Sequence, residues 1–195
     1  MISLWYLHVS DKELCKIRKK IFQEVCLPIL DKHGFYHSPF VDANWGWHSC
    51  FYGYDLCRLN GTYLECISSV ICKGDRWIQV RLNIFTLNQM PESLFDLNGL
   101  SGTKFKLPPN STTNERIDIG LSEGIPLFNP RTYKNYRLKR FWTKRGLEKQ
   151  TQHLCSLLQH DMENINAIVE KWHTVHKCNL TDWEGNIIEQ KEGLR

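Results

Sequence analysis

Between Gly124 and Leu147 the chain carries seven basic residues, Arg131, Lys134, Arg137, Lys139, Arg140, Lys144 and Arg145, and no acidic one. Tyr133, Tyr136, Phe141 and Trp142 are interleaved with them. Cations neutralise phosphates or carboxylates, and flat rings stack on bases or fill pockets on a partner. The run therefore fits an acidic protein partner, contacted through Arg131, Tyr133, Lys134, Tyr136, Arg137, Lys139, Arg140, Trp142, Lys144 and Arg145. It also fits nucleic acid, gripped through the same cations with Tyr133, Tyr136 and Trp142 against the bases. A pI near 8.6 falls short of the usual nucleic-acid footprint and favours the protein partner. The plain alternative is a solvated face, with Phe141 and Trp142 packing as the lead-in to the last helix. The basic character is local: of a formal net charge of +4, removing these seven cations leaves the rest of the chain at −3.

A second group with chemistry in it lies on a sheet. Asn60-Gly61 predicts a two-residue type I′ hairpin turn, facing Cys57 with Leu64, Tyr54 with Ile67 and Cys50 with Ile71. A second turn at Gly74-Asp75 brings in a third strand, where Ile78, Val80, Leu82 and Ile84 alternate with Gln79, Arg81 and Asn83. Both turns give one apolar face, containing Tyr52, Tyr54, Leu56, Ile67 and Ile71. The other face gathers Asp55, Cys66 and Asn83 in one cross-strand row and Gly53, Ser68 and Arg81 in the next, with Asp55 and Arg81 as diagonal neighbours. A carboxylate, a thiol, a hydroxyl and a guanidinium together could line an enzyme's pocket. They also suit an ordinary solvated sheet face, and no nucleophile–base pair is specified.

Other constellations are weaker. Eight aromatic residues fall between Phe35 and Tyr54, read as core and rim packing, with Trp45-Gly46-Trp47-His48 as a loop before the first strand. His173, His176 and Cys178 cluster near the end of the last helix without a fourth zinc ligand, so no metal and no cofactor is expected. Phosphate-loop, dinucleotide, zinc-protease and nucleophile-elbow motifs are absent. The eight cysteines form no Cys-x-x-Cys pair and mostly sit in apolar runs, the pattern of reduced, buried thiols.

Length and patterning define what positions these residues. With 195 residues, 42% hydrophobic and 24% charged, the chain can bury one sizeable core and is not disordered throughout. No apolar run reaches the roughly 20 residues of a membrane helix, and no secretory leader is evident, so a cytoplasmic protein without a membrane partner is expected. Ser10 and Glu13 have capping-box spacing before the stripe Leu14, Ile17, Ile21, Val25 and Ile29, predicting a helix over 11–32 that Pro28 should kink or end. Residues 88–130, broken by five prolines, form a long irregular excursion with one short strand near Arg116–Leu121. Leu147, Leu154, Leu158, Ile165, Val169 and Trp172 predict a long amphipathic helix over 144–176, with Asp161 as the place where it would break. The expected architecture is a single α+β domain over 1–178: a helix, a three- to four-stranded antiparallel meander, the excursion and the last helix. Residues 179–195 form a loosely held polar tail.

The run Leu27-Pro28-Ile29-Leu30-Asp31-Lys32-His33-Gly34-Phe35, followed by Trp77-Ile78-Gln79-Val80-Arg81-Leu82-Asn83-Ile84, resembles a group of small uncharacterised bacterial domains. In these a helix closing in His-Gly-Phe leads into an antiparallel sheet. The resemblance covers about residues 14–87. Some members look like immunity proteins encoded beside toxins, which implies a non-enzymatic intracellular binder, and the resemblance carries over no site residue.

Overall fold

A computed structural model describes residues 8–88, 91–100, 114–119, 136–178 and 180–182. Helix α1 (Asp11–Ile21) opens with the anticipated capping box. The Ser10 hydroxyl accepts from the Glu13 amide at 3.3 Å, and the Glu13 carboxylate accepts from the Ser10 amide at 3.0 Å. The helical path then runs unbroken to Lys32, through one π-helical turn (Phe22–Cys26) into α2 (Leu27–Lys32). Pro28 does not end it. In the π turn bonds span five residues, as from the Leu27 amide to the Phe22 carbonyl, so the N–H that Pro28 lacks is not one this turn uses. The same turn rotates the buried face. Leu14, Arg18, Phe22, Cys26 and Leu30, spaced by four, face inward, while Ile17, Val25 and Ile29 are only half-buried. Gly34, at φ +82°, closes the helix in a Schellman motif, with Gly34 donating to Asp31 and Phe35 to Leu30, both at 2.9 Å.

The sheet has seven described strands rather than three or four: β1 (Tyr36–His37), β2 (Trp45–His48), β3 (Phe51–Asn60), β4 (Tyr63–Cys72), β5 (Gln79–Leu87), β6 (Glu115–Arg116) and β7 (Leu180–Thr181). All pairings are antiparallel except β5 with β7. Strands β1 and β2 share one edge of β3, and β6 and β7 both pair with β5. Trp45–His48 is thus an edge strand and not a loop, and Leu180–Thr181 is a strand rather than part of a loose tail. Of the strand expected over 116–121, only Arg116 is in a strand, β6; Ile117–Ile119 form a 3-10 helical turn instead, and residues 120 and 121 lie outside the described residues.

The two turns fare differently. The β4–β5 register agrees with the sequence, with Cys66 opposite Asn83 and Ser68 opposite Arg81. The β3–β4 turn is Gly61-Thr62, not Asn60-Gly61, and pairs Asp55 with Ser68, Cys57 with Cys66 and Tyr54 with Ser69. Gly61 takes φ +58° at the first central position and Thr62 keeps a negative φ, the pattern of a II′ turn. Asn60 stays in the strand, where its side-chain amide donates to Glu65 at 2.9 Å.

Helices α3 (Lys144–Glu163) and α4 (Ile165–Val175) meet at Asn164, three residues past Asp161. With α1, the π turn and α2 they pack Leu154, Leu158, Met162, Ile165 and Trp172 over Leu56, Ile67, Ile71, Val80, Leu82 and Ile84. A second, smaller core on the sheet's other face joins Phe40 and Leu97 to Cys57, Leu64, Phe85 and Leu87. No helix among the described residues is long and apolar enough to cross a membrane.

Candidate functional site

The basic run enters the described structure at Tyr136; Arg131, Tyr133 and Lys134 lie outside the described residues. The segment 136–138 lies antiparallel to the start of β5. Ile78 donates to the Tyr136 carbonyl at 2.9 Å and Leu138 to the Arg76 carbonyl at 3.0 Å, bracketing a Trp77–Arg137 bridge. Extended backbone sends alternate side chains to opposite sides. Tyr136 and Leu138 are accordingly buried in the main core, and Arg137 is exposed. Tyr136 is therefore not a contact residue: its hydroxyl donates to the buried Asp161 carboxylate at 2.6 Å. Burial and that carboxylate push its pKa far up.

From Arg137 onward the run is a ridge. Lys139, Arg140, Trp142, Lys144 and Arg145 are exposed, and Trp142 keeps 62% of its surface in solvent. Phe141 turns inward under the Arg76 guanidinium, 5.5 Å from its ring. The Thr143 hydroxyl accepts from the Gly146 amide at 3.0 Å and so caps α3, which places Lys144 and Arg145 in the helix's first turn. Trp77 beside the ridge carries two guanidiniums, Arg116 at 5.2 Å and Arg137 at 5.0 Å. Arg116 is neutralised by bidentate bonds to the buried Asp118 at 2.7 and 2.9 Å. Arg137, Lys139, Arg140, Lys144 and Arg145 make no ion pair among the described residues. Sequence reading missed Arg76, Trp77 and Arg116, because they are distant in the chain: the 136–138 pairing brings Arg76 and Trp77 alongside, and the β5–β6 pairing brings Arg116.

The sheet-face group is assembled differently from expectation. Asp55, Ser68 and Arg81 form one cross-strand row, and Cys57, Cys66 and Asn83 the next. The Asp55 carboxylate accepts from the Ser68 hydroxyl at 2.6 Å, from the Asn44 amide at 2.5 Å and from its side chain at 2.8 Å. It is a buried clamp, holding the segment before β2 onto β3. Gly53 fits the same clamp, since a Cβ there would stand 2.6 Å from the Asn44 Cβ. Arg81 is exposed, opposite Arg116 rather than diagonal to Asp55. The Cys57 and Cys66 thiols touch at 3.4 Å, and Asn83 is buried with its Oδ1 accepting from the Ile84 amide at 3.1 Å. Since the second core also covers one end of this face, it is not an open polar surface.

Two further groups are tied into the fold. Arg58 donates to Glu65 at 2.5 Å, to the His33 carbonyl at 2.9 Å and to Asn166 at 2.8 Å beside a cavity of about 420 Å³. His173 lies 4.0 Å from the Cys178 thiol, and His176 lies 3.5 Å from the Glu115 carboxylate. No set of three or more His, Cys, Asp or Glu among the described residues is arranged to hold a metal ion. Comparison of the chain with family models, curated proteins and solved structures finds no match.

Proposed function

We propose that the protein is a non-enzymatic binding module that docks an acidic partner protein along the ridge Arg137–Arg145, with Trp142 as the anchor. The observation that carries this reading is the set of five exposed cations without an acid to pair with among the described residues, around an exposed indole. Lys144 and Arg145 add to it. They occupy the first turn of α3, where the helix dipole favours anions, so a carboxylate-rich partner relieves a local repulsion. An immunity-type module acting in the cytoplasm is the form suggested by the opening helix and hairpin, and eight free thiols suit a reducing compartment. Nucleic acid is the second reading, but it has fewer rings to work with: Tyr136 is buried, which leaves Trp142 among the described residues. An enzyme on the sheet face has the least support, because Asp55 is engaged by Asn44 and Ser68.

The test is affinity capture from the native lysate with and without nuclease, followed by binding of the identified partner to Arg137→Glu/Lys139→Glu/Arg140→Glu. A loss of about a hundredfold or more in affinity is expected, as for charge reversal within an interface. Unchanged affinity in the triple variant would remove the ridge from the contact. Capture that nuclease abolishes would move the ridge to nucleic acid.

A further inference from the structure

Helix α1 and the edge strand β2 enclose a cavity of about 290 Å³ lined by Lys12, Cys15, Lys16, Trp47, Tyr52 and Lys73. It shares no residue with the ridge or with the Asp55 row. Lys12 and Lys16, four apart, stand on one face of α1. Lys73 comes from the β4–β5 turn, which Arg18 pins to α1 through the Cys72 and Trp77 carbonyls. Trp47 pairs with Tyr52 across β2 and β3, with ring centroids 4.8 Å apart at 60°, and half of Trp47 faces solvent. The Lys19 ammonium lies 4.9 Å over the Tyr52 ring.

The charge here is unbalanced. Lys12, Lys16, Lys19 and Lys73 make no ion pair among the described residues. Of the nearby acids, Asp75 is paired with Arg18, Asp11 lies at the helix start, where the dipole favours it, and Glu13, bonded to Ser10, offsets part of the Lys16 charge. Three ammonium groups exceed what one carboxylate calls for and match a dianionic phosphate. The half-exposed Trp47 indole in the cavity lining supplies a stacking wall for a flat ring. The volume, at the low end for ligand pockets, accommodates one base with its phosphate and not a dinucleotide.

We infer that this cavity binds a nucleoside phosphate, with the base on Trp47 and the phosphate among Lys12, Lys16 and Lys73. The same chemistry is offered by a free nucleotide or by one nucleotide of a single strand. The test is equilibrium binding of the full chain to adenosine monophosphate, adenosine, inorganic pyrophosphate and a short oligoadenylate. Saturable 1:1 binding of the monophosphate is expected, with adenosine weaker by about tenfold or more. Trp47→Ala lowers monophosphate affinity about tenfold while sparing pyrophosphate. Lys16→Gln/Lys73→Gln, two exposed positions, weakens both, with circular dichroism reporting that each variant is folded. Oligoadenylate bound far more tightly than the monophosphate, with steep salt dependence, identifies a strand as the source; equal affinities identify the free nucleotide. The inference is overturned if the monophosphate does not bind at millimolar concentration, or if its affinity is unchanged in both variants. It is also overturned if oligoadenylate binding responds only to the ridge substitutions.

Discussion

Arg18→Met is the substitution for which the structure makes the sharpest demand. The Arg18 side chain has no exposed surface, yet it sits in the apolar stripe of α1. Its Nη1 donates to Asp75 at 2.7 Å and to the Trp77 carbonyl at 2.6 Å, Nη2 to the Cys72 carbonyl at 3.0 Å, and Nε to the Leu14 carbonyl at 3.1 Å. Three of these bonds cross from the helix to the β4–β5 turn. Charge-assisted bonds are each worth about 1.5–3 kcal/mol, but those made by one group do not add. Asp75 is partly exposed and regains some hydration when released. The relevant magnitude is therefore that of breaking one buried pair, about 3–5 kcal/mol. For a chain of this size that lowers Tm by roughly 10 °C, at about 2–4 °C per kcal/mol.

Methionine nearly fills the space and leaves the two turn carbonyls unpaired, so the cost is assigned to the bonds rather than to a cavity. Arg18→Lys should fall between wild type and Arg18→Met, because one ammonium cannot occupy the positions of Nε, Nη1 and Nη2 together. Urea unfolding followed by circular dichroism measures both variants. A loss below about 1 kcal/mol for Arg18→Met, at an unchanged m-value, would refute the view that this guanidinium ties the helix to the sheet.

Two other outcomes follow from buried groups. Tyr136→Phe removes the donor to Asp161 and should cost about 1.5–3 kcal/mol in urea unfolding while leaving partner affinity unchanged; the opposite pattern would return Tyr136 to the interface. Burial pushes the Tyr54 hydroxyl up to about 12, and burial raises the Cys26 thiol and the Tyr136 hydroxyl further. In the unfolded chain these acids ionise near about 8.5–10, while the folded protein keeps their protons. The folded state then binds more protons, so stability is complete below about pH 8.5 and falls as pH rises toward the folded values. Thermal melting between about pH 7 and 11 should show this decline, shallower in Tyr136→Phe, and a flat Tm would contradict it.

The strand faces were legible because parity survives a small error. Placing the first turn one residue early changes every β3–β4 partner by two positions, which leaves each side chain on its own face. It does not leave each side chain beside the right neighbour. Asp55 meets Ser68 and not Cys66, and that difference turns an imagined pocket into a clamp on Asn44. Arg18 was illegible for another reason. An arginine in an apolar stripe reads as a surface residue, and its burial depends on carbonyls 54 and 59 positions away. Strands β1, β2 and β7 are too short to show an alternation of their own, and their pairing is decided by the edges that β3 and β5 offer.

Net charge concealed how the charges are divided. Asp75, Glu65 and Asp118 are engaged by Arg18, Arg58 and Arg116, in pairs whose members are wholly or largely buried. Those acids are thus unavailable to the surface, where the ridge cations and Lys12, Lys16 and Lys19 of α1 have no ion-pair partner among the described residues, while Lys20 pairs with Glu24. Salt separates the two populations. Added ions screen exposed like charges within a Debye length, about 10 Å at 0.1 M, and barely reach buried pairs. Screening should therefore relieve repulsion in both cationic patches while costing the interior little. Tm should rise between about 0.02 M and 0.3 M sodium chloride, and Arg137→Glu/Lys139→Glu/Arg140→Glu, in which the ridge repulsion is gone, should rise less. A Tm that falls with salt would mean that surface ion pairs dominate, and the excess of unpaired cations on which both binding proposals rest would be false.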